Sequence, residues 1–313
     1  MADRTPDLIQ RAAARLQKPA LQPDTYDTLP AADSLGAARR QGPQISHVER
    51  IGSLETTDRK AVPSRDEERY VTISPTSLAS YGIALPSSGF SRTVEEFRAL
   101  KRHVMTNASS ARSASDATPG RIILVTSARP GEGKTFTATN LALALAYEKD
   151  ARVLLVDADA YRQSLMSCLG ISADVGWLDI VTKPTPDLSE VSLKTNVPGL
   201  TVLPAGKERS EIPELMSSRH MKKLLELMTR EDPGRYIVID ALPCLTSTEP
   251  SILAPLAGQT LFVVAAHQTS REDIESSLRL LSASPSVNLV LNKTEPLLTE
   301  QFKGYGYSYA SQR

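Results

Sequence analysis

The chain has 313 residues, and its 36 basic and 36 acidic side chains give a formal net charge of zero. A nucleic-acid-binding protein usually has a strongly basic surface, and the zero net charge argues against one here. We therefore expect no nucleic-acid partner. The two cysteines, Cys168 and Cys244, have no paired spacing and no histidine cluster beside them, which indicates reduced cytosol rather than a zinc or disulfide scaffold. Because no apolar run approaches the roughly 18 to 20 residues that span a bilayer, we expect a cytoplasmic protein without direct membrane insertion.

Residues 1–70 are the first predicted region, a disordered arm. Residues 1–69 contain a single aromatic side chain, Tyr26, and no sustained alternation of apolar and polar positions. A segment of this composition buries too little apolar surface to offset the entropy of ordering it. A short helix over Asp7 to Gln17 is the one element that we expect there.

Residues 71–118 are predicted to hold a linker and one helix, over 91–105. Thr93 followed by Glu96 is a capping-box pattern at the start of this helix. Four apolar residues recur at spacings that place them on one helical face: Val94, Phe97, Leu100 and Val104. Residues 107–119 are small and polar, which predicts a loop before the next element.

Residues 119–296 alternate β-branched runs with helical patterns, which is typical of βαβ units around a buried parallel sheet. The predicted strands are Ile122 to Thr126, Val153 to Asp157, Leu200 to Leu203, Tyr236 to Asp240, Thr260 to Ala265 and Asn288 to Asn292. The predicted helices are Lys134 to Tyr147, Pro213 to Met228 and Arg271 to Leu281. We therefore predict an α/β fold with a doubly wound, mostly parallel sheet and ligand chemistry at the carboxyl ends of the strands.

The segment from Ala128 to Thr135 reads ARPGEGKT and lies between a predicted strand and a predicted helix. This context is typical of a P-loop, in which backbone N–H groups and a helix N-terminus wrap phosphate, a lysine neutralises it and a hydroxyl binds magnesium. Ala128 stands where the general pattern has glycine. An accidental glycine-rich turn is the alternative interpretation.

Carboxylates end two of the predicted strands. Asp157 and Asp159 close the segment LLVDAD, and Asp240 closes IVID. Carboxylates at the ends of neighbouring parallel strands can hold Mg²⁺ beside a P-loop, directly or through water. Acidic strand ends are also common in turns, so a capping role is the alternative for each of them.

Together, PGEGKT, LLVDAD and IVIDALP resemble the Walker A, A′ and B motifs of the bacterial tyrosine kinases, a branch of the MinD/ParA-like P-loop ATPases. The resemblance covers residues 72 to 309 and is strongest to the polysaccharide-biosynthesis autokinases associated with exosortase systems. It implies an ATP- and Mg²⁺-dependent protein-tyrosine kinase that works with a membrane-embedded chain-length determinant or co-polymerase in exopolysaccharide export. It also implies a homo-oligomer, through a motif that Glu95, Arg98 and Lys101 match.

The resemblance assigns roles to individual residues. Lys134 would contact phosphate, Asp157 would assist deprotonation of the acceptor tyrosine, and Thr135, Asp159 and Asp240 would hold the metal. The nucleotide would contact Pro130, Gly131, Glu132, Gly133, Lys134, Thr135 and Phe136. Asn292, at the end of the last predicted strand, either bonds the adenine base or is an ordinary polar strand terminus.

Two positions depart from the family pattern. Tyr161 stands two residues after Asp159, where the family has a basic residue, and Arg162 follows it. Either Arg162 supplies the missing charge as a catalytic residue, or catalysis is weak. Lys101 replaces an arginine, and a lysine lacks the planar fork that grips a carboxylate, so a weaker or rearranged oligomer is expected.

Residues 297–313 form a tail with the run GYGYSY. Tyr305, Tyr307 and Tyr309 resemble the autophosphorylation cluster of the kinase family, which makes them the candidate phosphoacceptors, used in trans. A tether or packing edge is the alternative for this segment. Two further functions stay open. One is a MinD/ParA-like ATPase switch that positions or gates a partner and phosphorylates no protein, and the other is a regulatory subunit that binds ATP without turnover.

Overall fold

A computed structural model describes residues 69–87, 91–110, 120–206, 212–232 and 234–294. Its strands are β1 (Tyr70–Val71), β2 (Ile122–Ser127), β3 (Val153–Asp157), β4 (Leu193–Thr195), β5 (Leu200–Leu203), β6 (Tyr236–Asp240), β7 (Gln259–Ala265) and β8 (Val287–Asn292). Its α-helices are α1 (Pro75–Ser80), α2 (Arg92–Ser110), α3 (Lys134–Ala146), α4 (Ser164–Leu169), α5 (Ile212–Ser217), α6 (Arg219–Glu231), α7 (Glu249–Leu253) and α8 (Arg271–Leu280). Short 3₁₀ turns cover Trp177–Asp179, Leu188–Glu190 and Ala254–Leu256.

The strands form one sheet in the order β1-β4-β5-β3-β6-β2-β7-β8. The neighbours from β5 to β8 pair in parallel, whereas β4 runs antiparallel to β5 and carries β1 parallel to itself. The predicted mostly parallel, doubly wound sheet is confirmed. In this topology β2 lies between β6 and β7, so the loop after β2 starts near the middle of the sheet, where a ligand site is expected.

Both faces of the sheet are buried, which explains the continuous apolar runs of its strands. Alternate residues of β2 belong to different cores, with Ile122 and Leu124 on one face and Ile123 and Val125 on the other. The first core includes apolar residues of α6, and the second includes the apolar face of α3 together with Phe97 and Val104 of α2. The period of two along a strand thus divides its side chains between two helical layers.

The predicted strands agree with the observed ones to within one residue at each end. The prediction of one helix from Pro213 to Met228 is wrong, because the structure has two helices, α5 and α6, in this region. Ser218 between them has extended backbone, and its hydroxyl accepts hydrogen bonds from the N–H groups of His220 and Met221. Ser218 is therefore the N-cap at which α6 begins. The loop predicted from residue 107 is also corrected, since α2 continues to Ser110 and buries Ala108. The predicted helix over 7–17 and the tail lie outside the described residues.

Candidate active site

The P-loop connects the carboxyl end of β2 to the first residue of α3, Lys134. Two of its residues have left-handed backbone, Gly131 with φ of 83° and Gly133 with φ of 103°. A Cβ atom on Gly133 would lie 1.9 Å from Nδ2 of Asn292, whereas a Cβ on Gly131 would meet no atom within 4 Å. Glycine at 133 is therefore required by both the backbone conformation and the close approach of β8.

The side chain of Glu132 holds this loop in place. It is 4% exposed, and its two carboxylate oxygens accept hydrogen bonds from the Arg129 backbone N–H at 2.9 Å and from the Thr269 hydroxyl at 2.6 Å. Its carbonyl oxygen accepts a hydrogen bond from Nδ2 of Asn292 at 2.9 Å. A carboxylate with both oxygens engaged inside the protein serves the loop itself, so any contact of Glu132 with nucleotide would come from its backbone.

A surface ion pair adds a further support that the sequence did not reveal. The guanidinium of Arg129 donates from Nε and one Nη to the two oxygens of Asp273 on α8, at 2.7 and 2.9 Å. The hydrogen bond with Arg129 lowers the pKa of the Asp273 carboxyl below its usual value. Arg129 and Asp273 are 144 residues apart in the chain, and no local sequence pattern predicts a contact at that distance.

Three carboxylates meet beside Lys134. Asp157 and Asp240 are paired in register across β3 and β6, both with no exposed surface, and Asp159 is 1% exposed. The Lys134 ammonium lies 3.3 Å from Oδ2 of Asp159. The structure thus brings together the predicted phosphate, metal and base residues at the carboxyl edge of the sheet.

The charges in this site do not balance. Among the residues that the structure describes, one oxygen of Asp157 and both oxygens of Asp240 are buried without a well-aligned hydrogen-bond partner. Burial raises the pKa of Asp240 to about 6, against the opposing charge of Lys134. Burial first, and then the charge of Asp240, raise the pKa of Asp157 well above its usual value. Unpaired buried carboxylates are costly, so their presence indicates a site that receives a cation.

Magnesium fits these residues. No group of three or more His, Cys, Asp or Glu side chains within the described ranges has the spacing of a complete metal cage. Mg²⁺ usually keeps several waters and is bound by one or two carboxylates together with phosphates of the substrate. The orphaned oxygens of Asp240, next to Thr135 at the start of α3, are suited to that incomplete coordination.

A cleft of about 470 Å³ opens beside Lys134 and Asp159. Tyr161 and Arg162 both line it, and the Tyr161 side chain is 46% exposed. The segment after β6, between Leu242 and Glu249, also lines it. Arg162 therefore lies in the same cleft as Lys134, although Tyr161 precedes it in the family's basic position.

Trp177 supports the end of β3. It is fully buried, and its indole Nε1 donates a hydrogen bond of 2.8 Å to the carbonyl oxygen of Asp157. Its own turn is held by backbone hydrogen bonds to Pro204 and Ala205, the residues that follow β5. We missed this role in the sequence, where the only signal is that Trp177 is the single tryptophan of the chain.

The three residues of the predicted oligomerisation motif lie on α2, which packs against α3. Glu95 and Arg98 form an ion pair within the helix, and Lys101 pairs with Glu148, just beyond α3. Phe97 meets Phe136 edge to face, with ring centroids 5.6 Å apart. This helix is therefore in direct contact with the element that begins at the P-loop. The candidate acceptors Tyr305, Tyr307 and Tyr309 lie outside the described residues.

Comparison with known proteins agrees with this geometry. The model of the AAA domain family matches residues 120–285, more than half of the chain. The chain belongs to the AAA domain family. The chain is similar to a tyrosine-protein kinase, Ptk, of Acinetobacter johnsonii, with 32% identity over 64% of this chain and 26% of that protein.

Two further relatives extend the comparison. The tyrosine-protein kinase CpsD of Streptococcus agalactiae serotype Ia is 27% identical over 69% of this chain and 87% of its own length. The solved BceF tyrosine kinase domain is 25% identical, with a TM-score of 0.54 over 64% of this chain and 78% of that domain. The chain thus spans about a quarter of Ptk and most of CpsD. These matches confirm the resemblance to bacterial tyrosine kinases that the sequence motifs indicated.

No helix among the described residues has both the length and the apolar character needed to cross a membrane.

Proposed function

We propose that this protein is an ATP- and Mg²⁺-dependent protein-tyrosine autokinase whose acceptors are Tyr305, Tyr307 and Tyr309. The observation that carries the proposal is the placement of Lys134 and three buried carboxylates at one edge of the sheet, with unpaired carboxylate oxygens facing the P-loop. Relatives named as tyrosine-protein kinases, among them Ptk and CpsD, support the same reaction.

In the proposed reaction, the backbone of the P-loop and Lys134 hold the phosphates of ATP. Thr135, Asp159 and Asp240 hold Mg²⁺, which neutralises charge on the phosphates when bound. Asp157 accepts the proton of the acceptor tyrosine, and the phenol oxygen of that tyrosine forms a bond to the γ-phosphorus of ATP. The bond between the γ-phosphorus and the β–γ bridging oxygen breaks, and ADP leaves. The raised pKa of Asp157 supports this role, because it brings the carboxylate closer to the tyrosine value of about 10.

The acceptor tail would be used by a neighbouring copy. Twelve residues separate Lys293 from Tyr305, and an extended chain of that length spans at most roughly 40 Å. A domain of about 180 residues has a radius of gyration near 16 Å, so a neighbour's cleft is within reach. Glu95, Arg98 and Lys101 on α2 would form the contact between subunits, and Asn292 remains a candidate contact for adenine.

The setting that we propose is exopolysaccharide biosynthesis at the inner membrane. The resemblance to the polysaccharide autokinases supports a membrane-embedded chain-length determinant or co-polymerase as the recruiting and activating partner. The kinase itself would then remain on the cytoplasmic side.

Phosphotyrosine formation tests the proposal directly. Purified full-length protein is incubated with ATP and Mg²⁺, with and without the cytoplasmic fragment of the co-polymerase, and the tail is analysed by mass spectrometry. We expect phosphate on the tail tyrosines, none with Lys134→Met, and unchanged ATP binding when all three tyrosines are replaced by Phe. ATP hydrolysis without phosphotyrosine under both conditions would refute the kinase proposal in favour of a nucleotide switch, and tight ATP binding without turnover would indicate a regulatory subunit.

A further inference from the structure

The lining of the cleft includes a buried acidic residue that the proposed mechanism does not use. Glu249, the first residue of α7, is 3% exposed and lines the cleft together with Lys134 and Asp159. It forms no ion pair or hydrogen bond with another side chain of the described ranges. Its oxygens are not among the fully buried polar atoms that lack a partner, so this largely buried side chain still presents its charge to the cleft, where a positive group can pair with it.

A second carboxylate reinforces the negative potential on this side. Burial and the charges of Glu249 and Glu214 raise the pKa of the Tyr161 phenol, whose ring lines the same cleft. Glu214 lies on α5, which packs against α7. The cleft is therefore lined by two cations, Lys134 and Arg162, and by two carboxylates, of which Asp159 is paired with Lys134 and Glu249 is not.

The candidate acceptor segment has the complementary charge. The tail of residues 297–313 contains Lys303 and Arg313 and one acidic side chain, Glu300, and the part that holds the tyrosines, residues 301–313, has no acidic side chain. Lys303 precedes Tyr305 by two residues, so their Cα atoms are at most roughly 7 Å apart in an extended chain. A lysine at that distance can enter the cleft together with the tyrosine.

On the basis of the proposed kinase function, we propose that Glu249 is a specificity-determining residue that binds Lys303 of the acceptor tail from another copy of the chain. The pairing neutralises the buried carboxylate only when a tail is in the cleft. It selects acceptors that carry a cation just before the tyrosine, and it disfavours acidic ones, for which the wall is repulsive.

Exchanging the two charges tests the pairing with whole chains. The donor kinase carries Phe at positions 305, 307 and 309, so that it cannot label itself there. The acceptor carries Lys134→Met, so that it cannot transfer phosphate. Donors with Glu249, Glu249→Gln or Glu249→Lys are combined with acceptors that have Lys303 or Lys303→Glu, and initial rates of tail phosphorylation are measured over a range of acceptor concentrations.

We expect Lys303→Glu to raise the KM for the acceptor roughly tenfold with the wild-type donor, because it places two like charges together. With Glu249→Lys as donor the preference should reverse in favour of Lys303→Glu. Glu249→Gln should discriminate little between the two acceptors. Glu226→Gln, on the exposed face of α6 outside the cleft, is the matched control and should retain the wild-type preference.

Equal KM values for both acceptors with the wild-type donor, or a loss of kcat in Glu249→Gln that is the same for both, would overturn the inference. Thermal unfolding of each donor establishes that its fold is intact. Failure of the kinase proposal is a separate result, because it would leave the wild-type pair without any phosphotyrosine.

Discussion

At the scale of single residues, the site is organised around carboxylates that the folded chain leaves without partners. Asp240 has no exposed surface, and within the described residues neither of its oxygens has a well-aligned hydrogen-bond partner. The nearby Lys134 charge and Thr135 hydroxyl offset its burial only in part. Such a group favours its protonated form, and its charged form opposes folding at neutral pH. The protein therefore carries a local instability that binding of Mg²⁺ and nucleotide should relieve.

Replacing Asp240 by Asn measures this cost. The folded state keeps the Asp240 proton up to a pKa of about 6, whereas the unfolded chain loses it near 3.8. Stability of the wild type therefore falls as pH rises from about 4 to 6 and then stays level. In EDTA without nucleotide, we expect Asp240→Asn to gain up to about 3 kcal/mol in the free energy of unfolding, relative to wild type, between pH 4 and pH 7.

Asp232→Asn is the control with the opposite sign. Hydrogen bonding and the charges of Arg152 and Arg235 outweigh burial and lower the pKa of Asp232. Its stabilising contribution is thus present at neutral pH and is lost in acid. Urea unfolding at several pH values follows both variants, and a pH-independent difference between Asp240→Asn and wild type would contradict the assigned shift.

At the scale of elements, the P-loop contains two glycines that share a left-handed backbone but differ in their surroundings. Gly131→Ala should cost only the strain of that backbone, about 1 kcal/mol in the free energy of unfolding. Gly133→Ala should cost about 3 kcal/mol or more, because its methyl group would also displace Asn292. Urea unfolding of both variants provides the comparison.

A double variant separates the backbone strain at residue 133 from the steric clash between a side chain at residue 133 and Asn292. If the contact with Asn292 is the main cost, Gly133→Ala combined with Asn292→Ala should recover part of the lost stability, although the hydrogen bond to Glu132 is absent. Equal destabilisation by Gly131→Ala and Gly133→Ala would show that the approach of β8 has little energetic weight.

The elements that could be predicted are those with a repeated pattern. Strands such as β3 and β6 are buried at every position because both faces of the sheet are covered, and each is apolar up to its terminal aspartate. That property is local to the sequence. By contrast, β1 has two residues and β4 has three, too few to show a period. The break between α5 and α6 depends on the hydroxyl of one serine, which a helical apolar pattern does not reveal.

The candidate site divides in the same way. Lys134, Asp157 and Asp240 could be predicted because the P-loop and the strand ends are contiguous motifs. Trp177 and Glu249 could not, since their positions depend on how loops distant in sequence pack onto the sheet. Arg162 could be nominated by its place after Asp159, but its position in the cleft became known only from the structure.

At the scale of the whole molecule, the contacts of α2 indicate different roles for Arg98 and Lys101 of the predicted oligomerisation motif. Lys101 stabilises the subunit, and Arg98 is available for contacts between subunits. The Lys101 side chain is 15% exposed and paired with Glu148, whereas that of Arg98 is 48% exposed and, in the described part of the chain, pairs with Glu95 of its own helix. An exposed pair of this kind contributes less than about 1 kcal/mol, so Arg98 can exchange it for a partner on another subunit.

We therefore expect Arg98→Ala to weaken self-association while changing the stability of the subunit by less than about 0.5 kcal/mol. Lys101→Ala should mainly lower subunit stability. Sedimentation velocity with ATP and Mg²⁺ measures assembly, and Arg92→Ala, which removes an exposed paired arginine from the same helix, is the control. Loss of assembly with Lys101→Ala and not with Arg98→Ala would contradict this division.

The hydrogen bond between Trp177 and Asp157 makes the intrinsic fluorescence of the protein a reporter of its candidate active site. Trp177 is the single tryptophan of the chain, and its indole N–H is bonded to the backbone of the proposed catalytic strand end. Excitation near the red edge of protein absorbance therefore selects one emitter, next to the residue that would accept the proton. A fluorescence titration with nucleotide can follow this point of the site without an attached dye or an engineered label.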